Sequence, residues 1–374
     1  MLAMQSPNIS ALSSQVLWAS FFLSVCFGAI AQRSHFCTMG AVSDMVNMGD
    51  STRMRQWMLA VGVAMLGFAG LAYLGVVDPA KTLYASGRLM WLSALVGGVF
   101  FGFGMVLASG CGSKTLVRIG GGSLKSLVVF VVMGIAAFAT LKGITAVARV
   151  ATVDMVTINL AANNDLPTLT SSLFSINKKF SVLLCGLLLG AGLSVWALLG
   201  KGFIGFDNLL CGLGIGAVVV GMWWVSGYLG HLAEHPDTLQ EAFLTTNSGR
   251  AEAMSFVAPV AYTLDWLMFF SDKSKAITLG IASVFGVVTG SAAYALLTKS
   301  FRWEGFGGTE DVANHLVGAC LMGIGGVTAM GCTVGQGLSG LSTLSLTSFV
   351  AFFAIVGGAW AGLKYQIWRL DRMA

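Results

Sequence analysis

The sequence predicts an all-α polytopic membrane protein with about nine transmembrane helices, additional re-entrant or half helices, and two pseudo-symmetric inverted halves. Three observations carry that expectation. First, of 374 residues 56% are hydrophobic and only 10% charged, and mean hydropathy is +0.81. A soluble domain carries about 25% charge, so this chain lacks the polar surface to cover a water-soluble globule. Soluble, disordered and nucleic-acid-binding classes fall away. Second, apolar runs of roughly 20 residues recur along the chain. Third, one Gly-rich run ending in Gly-Cys occurs twice. The 49 glycines, against 5 prolines, suit close helix packing and broken helices in a bilayer.

The spans expected in order are 16–32, 56–77, 91–109, 125–147, 180–200, 208–230, 276–298, 312–331 and 345–368. Two longer segments separate them. Residues 148–179 are polar, with Asn163, Asn164, Asp165 and Pro167. Residues 231–275 mix charge with the pieces Phe256–Tyr262 and Leu264–Phe270, which are too short to span and read as interfacial or re-entrant. No basic region precedes the first apolar run, so no cleavable signal peptide is expected.

Orientation follows from Lys and Arg counts. The side of the N-terminal tail holds Lys81, Arg88, Arg149, Lys178, Lys179, Arg250, Lys273 and Lys275, eight in all. The other side holds eleven: Arg33, Arg53, Arg55, Lys114, Arg118, Lys125, Lys201, Lys299, Arg302, Arg369 and Arg372. Six of the eight lie in the two long segments, which count for less. The second side, with the C-terminus, is therefore expected in the cytoplasm.

The repeat has an offset of 221 residues: 95–111 reads LVGGVFFGFGMVLASGC and 316–332 reads LVGACLMGIGGVTAMGC, identical at nine of seventeen positions. The copies fall in the third and eighth spans, five apart, and so cross in opposite directions. Inverted repeats of this kind recur in transporters, with the substrate path at their interface. The expected halves are 1–175 and 176–374, forming one membrane domain.

Seven cysteines, an odd number lying mostly in apolar runs, do not form a disulfide framework. Three have polar, Gly-flanked neighbours: Cys37 in QRSHFCTMG, Cys111 in ASGCGSK and Cys332 in MGCTVGQG. Cys26, Cys185, Cys211 and Cys320 have apolar neighbours and read as small buried hydrophobes. A thiol is soft and polarizable and donates weakly, so it contacts a sulfur-bearing ligand without the grip of a fixed charge. Conduction requires several weak sites in series. Gly110 and Gly331 let backbone approach a ligand, and a helix break there would turn the N-terminus of the next helix toward an anion. Ser113, Thr115, Thr333 and Gln336 supply further hydrogen bonds.

Other chemistries fit less well. No pair has zinc-like spacing, and His35 lies two residues from Cys37, off its helix face. His231-Leu232-Ala233-Glu234-His235 matches H-x-x-E-H, but Pro236 follows at once at a span end, so an interfacial cluster is the better reading. No phosphate-binding P-loop occurs. Trp223, Trp224 and Tyr228 read as an interfacial belt, and Lys142 as snorkelling from a span end. Asp265 and Arg250 receive no role.

With these residues in view, the chain resembles the YeeE/YedE family of bacterial inner-membrane proteins over most of its length. The resemblance is carried by R-x-x-F-C-x-x-G-A at Arg33–Ala41, by G-x-G-M-x-L-A-x-G-C-x-S at Gly102–Ser113 with the following L-V-R at Leu116–Arg118, and by G-C-T-x-G-Q-G-L-S at Gly331–Ser339. It implies an hourglass of about nine spans plus half helices, and import of thiosulfate along a relay of three thiols, here Cys37, Cys111 and Cys332, through S–H···S contacts without large rocking. It also implies a small TusA/SirA-like sulfur carrier as cytoplasmic partner. One departure is Gly112-Ser113-Lys114, where relatives carry Ser-Gly; Lys114 adds positive charge beside Cys111.

The resulting expectation is an inner-membrane thiosulfate importer and not an enzyme. Cys332 receives the ion on the periplasmic side, and Cys37 and Cys111 hand it inward. Arg33, Lys114 and Arg118 supply the field, and Ser113, Thr333, Gln336 and the amides beside Gly110 and Gly331 the hydrogen bonds, with no metal or organic cofactor. For the thiols to meet, helices must break, and Gly97-Gly98 and Gly325-Gly326 are the expected places. Transport of another sulfur or selenium species, a membrane sulfurtransferase forming Cys persulfides, and a scaffold for a sulfur carrier are the alternatives.

Overall fold

The computed structural model describes residues 9–160, 163–236, 238–272 and 274–372. Lys273, counted above, lies outside the described residues. Fourteen α-helices account for most of the described chain. They are α1 (Ile9–Ser34), α2 (Thr38–Asn47), α3 (Thr52–Tyr73), α4 (Trp91–Leu107), α5 (Gly112–Gly120), α6 (Leu124–Lys142) and α7 (Ile144–Ala151). There follow α8 (Leu166–Phe174), α9 (Lys178–Leu198), α10 (Phe206–Trp224), α11 (Val257–Met268), α12 (Leu279–Leu297), α13 (Thr309–Thr328) and α14 (Leu346–Asp371).

Among the described residues, eight helical stretches are long and apolar enough to cross a membrane, so this is a multi-pass membrane protein. They correspond to eight of the nine expected spans. The ninth, expected at 312–331, is α13. It is a 20-residue helix, long enough to cross, but Glu310 and Asp311 occupy its first turn and keep it outside the apolar set. It lies against α4 in antiparallel fashion. An added Cβ on Gly97 would meet Ala329 N at 2.4 Å, and one on Gly104 would meet Gly318 O at 2.7 Å, so the contact descends α13 as it ascends α4. Burial here comes from close backbone approach, as small residues permit in a bilayer.

Helix partners exchange in a regular way. Helix α4 packs on α14 while α13 packs on α6, and α1 packs on α12 while α3 packs on α10. The polar segments cover one end. Strands β1 (Arg88–Leu89) and β2 (Ile158–Asn159) pair antiparallel, as do β3 (His231–Leu232) and β4 (Ala242–Phe243). Main-chain bonds from Leu83 N to Ala251 O and from Ala251 N to Lys81 O tie the segment before β1 to the segment after β4. His231 and Lys81 both pair with Glu241, so the first histidine of H-x-x-E-H serves an ion-pair cluster. Asp265 pairs with Lys275 at 2.6 Å, and Arg250 donates to Ala85 O.

The expected breaks at Gly97-Gly98 and Gly325-Gly326 do not occur, because α4 and α13 run through them unbroken. Those glycines face neighbouring helices instead: a Cβ on Gly98 would lie 2.6 Å from Ala354 Cβ and 2.9 Å from Ala351 O, one on Gly325 2.5 Å from Phe101 N, and one on Gly326 2.8 Å from the Val257 side chain. Their missing side chains bring helices together rather than bend them.

Candidate functional site

The helices break immediately before the three cysteines, and in the same way each time. Two residues before each cysteine the backbone turns left-handed, at His35 (φ 52°), Ser109 (φ 55°) and Met330 (φ 58°). The next residue donates to the carbonyl five positions back: Phe36 N to Ala31 O, Gly110 N to Met105 O and Gly331 N to Gly326 O. This is the bond pattern that closes a helix C-terminus with a left-handed cap. A non-glycine residue in that conformation is strained, and such strain concentrates at functional sites. A short helix starts directly after each break. Cys37 caps α2 with extended φ −163°, and Cys111 caps α5 with ψ 177°. After Cys332 the chain turns helical at 333, with a π-helical stretch over Gly335–Gly340. Gly335 N donates to Cys332 Sγ at 3.4 Å.

These helix starts converge. The thiols of Cys37 and Cys111 adjoin each other, and Thr333 Oγ1 lies next to Cys111 Sγ. Ser113 Oγ is 3.2 Å from Cys111 Sγ. Phe256, which precedes α11, directs its N–H at Cys332, and a Cβ on Gly112 would lie 3.7 Å from Phe256 Cβ. Four short helices, α2, α5, α11 and the one beginning at 333, thus present their N-termini around one buried centre. Each such end carries about half an elementary charge of positive sign, about two in total, so the centre favours a dianion without holding a fixed cation. All three cysteines are buried. Gln336 Oε1 is buried and has no hydrogen-bond partner within the protein, although Gln336 Nε2 donates to Ala329 O at 2.6 Å. A buried polar atom left unpaired costs roughly 1–3 kcal/mol, and a site that receives a hydrated or anionic ligand explains the cost.

Cavities approach the centre from opposite ends. One, of about 210 Å³, is lined by Gly331 and Met330 beside Cys332 and by Arg149, Glu252, Ser255 and Tyr262. Another, of about 400 Å³, is lined by Gln32, His35, Lys114, Arg118, Ser123 and Arg302. Leu141 near the end of α6 lines the first, and Ser123 just before α6 lines the second. Helix α6 has 19 residues, so the two mouths are about 28 Å apart along it. Lys125 holds the Glu304 carboxyl at the second mouth below its usual range. That pairing leaves Lys114, Arg118 and Arg302 as lining cations there.

Most expected site residues therefore gather: Cys37, Cys111, Cys332, Ser113 and Thr333 at the centre, Gly110 and Gly331 in the breaks, and Gln336 one turn beyond Cys332. Lys114 and Arg118 stand at the second mouth, with Lys114 Cγ 3.2 Å from the Cβ position of Gly110. Arg33 does not join them. Its Nε bonds Asp207 Oδ1 at 2.7 Å and its guanidinium lies 5.1 Å from the Phe206 ring centroid. Sequence reasoning missed Tyr84, whose hydroxyl donates to Gly335 O at 2.6 Å in a buried position, and missed Phe256 and Glu252. Only a comparison of His35-Phe36-Cys37 with Ser255-Phe256-Val257, 220 residues later, could have flagged Phe256. Among the described residues no cluster of metal-binding side chains occurs.

The chain is 25% identical over 347 residues to the thiosulfate transporter TsuA of Escherichia coli, covering 89% of this chain and 90% of the relative. It is 23% identical over 356 residues to the thiosulfate transporter TsuA of Spirochaeta thermophila, covering 92% and 97%. A shorter match of 112 residues, at 29% identity, covers 29% of this chain and 26% of the probable transporter YedE of Escherichia coli. The sulphur transport family profile matches residues 33–361, from the first break through most of α14. That profile covers well over half of the chain, which therefore belongs to the sulphur transport family.

Proposed function

We propose that this protein imports thiosulfate across the bacterial inner membrane, passing the dianion along the thiols of Cys332, Cys111 and Cys37. The observation that carries this reading is the threefold helix break, which delivers each thiol to a helix N-terminus at one buried centre between two cavities. The mouth beside Cys332 faces the periplasm, in keeping with the smaller basic count on that side. Residues 1–175 and 176–374 act as two inverted halves; the antiparallel contact of α4 with α13 and the exchange of helix partners support that division.

The chemistry follows from a centre built of helix ends, thiols and hydroxyls. A dianion clamped by Arg or Lys would be released slowly, whereas helix ends, thiols and hydroxyls hold it through many weak contacts. The ion enters past Met330 and Gly331 and meets Cys332, then Thr333 and Cys111, then Cys37. Each thiol donates an S–H to the anion in turn, and no bond to sulfur forms or breaks. Lys114 and Arg118 draw the ion to the inner mouth, where Lys114, one turn into α5, is the first full charge it meets. A small TusA/SirA-like carrier takes up the product in the cytoplasm. Binding of sulfur-labelled thiosulfate to purified protein, with sulfate and selenate as competitors, tests the substrate. Preference for thiosulfate supports the reading, and equal competition by sulfate overturns it.

A further inference from the structure

The cavity beside Cys332 contains a carboxylate, which is an unexpected neighbour for an anion's route. Glu252 lines it together with Gly331, Met330, Ser255 and Tyr262. Its carboxylate accepts only from neutral groups: Ser248 N donates to Oε1 at 2.7 Å, and the Ser248 hydroxyl and Asn247 N–H also reach it. Cations stand nearby but are engaged elsewhere. Arg149, on the same lining, pairs with Asp154 at 3.1 Å, and Arg250 donates to Ala85 O. The other titratable groups facing it are the phenols of Tyr84 and Tyr262. An ionised Glu252 would place a full negative charge, uncompensated by a cation, in the cavity that leads to Cys332. That charge would repel a dianion, the more so where burial keeps water from screening it.

We propose that Glu252 is a proton-binding site on the substrate route, and that thiosulfate passes the outer cavity only when this carboxyl is protonated. The inference rests on the import reading above and adds the proton as the anion's companion. Burial pushes the Glu252 carboxyl above its usual range, while its hydrogen bonds from Ser248 and Asn247 act against this. The neutral form therefore persists at a higher pH than for an exposed glutamate, and the site opens below that pH and closes above it. The step is a simple protonation: one proton from outer water binds one carboxylate oxygen, and the cavity loses one negative charge. Because thiosulfate remains a dianion throughout, the pH dependence belongs to the protein.

Uptake of sulfur-labelled thiosulfate by cells lacking their own importers, measured from about pH 5.5 to about pH 8.5, tests the proposal. Wild-type uptake should fall as outer pH rises, by at most about tenfold per pH unit for one proton per anion. Glu252→Gln should carry thiosulfate at a nearly constant rate, and Glu252→Asp should keep the slope. A Glu252→Gln slope equal to that of wild type overturns the inference, as does wild-type uptake independent of pH. Thermal stabilisation of purified wild type by thiosulfate gives a second readout, should Glu252→Gln not reach the membrane. It should weaken with rising pH, and a constant effect overturns the inference. Absence of uptake by wild type at every pH overturns the import reading itself, and is thereby distinguished from failure of the proton site alone.

Discussion

Replacing Gly97 by Ala tests how the site is held in place. Gly97 lies in α4, facing α13, and a Cβ there would sit 2.4 Å from Ala329 N, 2.7 Å from Gly325 O and 2.8 Å from Thr328 C. All three atoms are backbone, so no side chain can swing away. Ordinary contact begins near 3.4 Å, so the helices must separate by about 1 Å. Overpacking of this kind costs about 1–3 kcal/mol, and the backbone partners place this case toward the upper end. Helix propensity works the other way, since Ala is favoured over Gly by about 1 kcal/mol in a helix interior. Gly192 in α9 and Gly70 in α3 isolate that term, because a Cβ at either meets nothing within 4 Å. The assay is the apparent melting temperature of each variant in detergent. Gly97→Ala should melt several degrees below wild type, while Gly192→Ala and Gly70→Ala should match or exceed it. Uptake by Gly97→Ala should also fall, because α4 and α13 carry Cys111 and Cys332 at their ends. Gly97→Ala as stable as Gly192→Ala would refute the close-contact account of this helix pair.

Further expectations concern individual contacts. Met330→Gly should stabilise the protein by up to about 1 kcal/mol, by relieving the left-handed turn, while Met330→Val should lose at least as much; thermal melting checks both. Tyr84→Phe leaves Gly335 O without its buried donor and should cost about 1–3 kcal/mol, with a raised KM for thiosulfate because the π-helical stretch after Cys332 loosens. Lys114→Met should lower uptake severalfold while the melting temperature holds, since Lys114 faces the inner cavity. Glu241, held below its usual range by Lys81 and then His231, keeps its contacts through neutral pH. They are lost only as pH falls through the depressed value, so proteolysis of the 231–243 hairpin should rise at acid pH in wild type and be insensitive to pH in Glu241→Gln.

Hydropathy alone made most of the fold legible, because a bilayer demands long apolar helices with all main-chain groups paired internally. The span expected at 312–331 is α13, which packs against α4 and α6 although its first turn carries Glu310 and Asp311. The repeat pointed to the thiols and to the antiparallel pairing of their helices. Breaks beside Gly110 and Gly331 were legible, but the ones expected at Gly97-Gly98 and Gly325-Gly326 were not there: a glycine pair reads equally as a bend or as a close contact, and only the facing backbone of Ala329, Gly325 and Ala351 decides. At Ser109 and Met330 the left-handed residue is not glycine, so propensity gave no signal. Arg33 was assigned to the site from its nearness to Cys37 in sequence, but its partner Asp207 is 174 residues away. Phe256, Tyr84 and Glu252 reach the site from segments that read as interfacial or polar loops, and long-range packing alone reveals them.

The most direct test of the thiol relay is uptake of sulfur-labelled thiosulfate by cells lacking their own sulfate and thiosulfate importers. Wild type is compared with Cys111→Ala, Cys332→Ala and Cys37→Ala, with the amount of each protein in the membrane measured alongside. Uptake by wild type that disappears in all three variants at equal expression is the predicted result. Undiminished uptake by the alanine variants would contradict the relay and assign passage to the helix N-termini and hydroxyls alone.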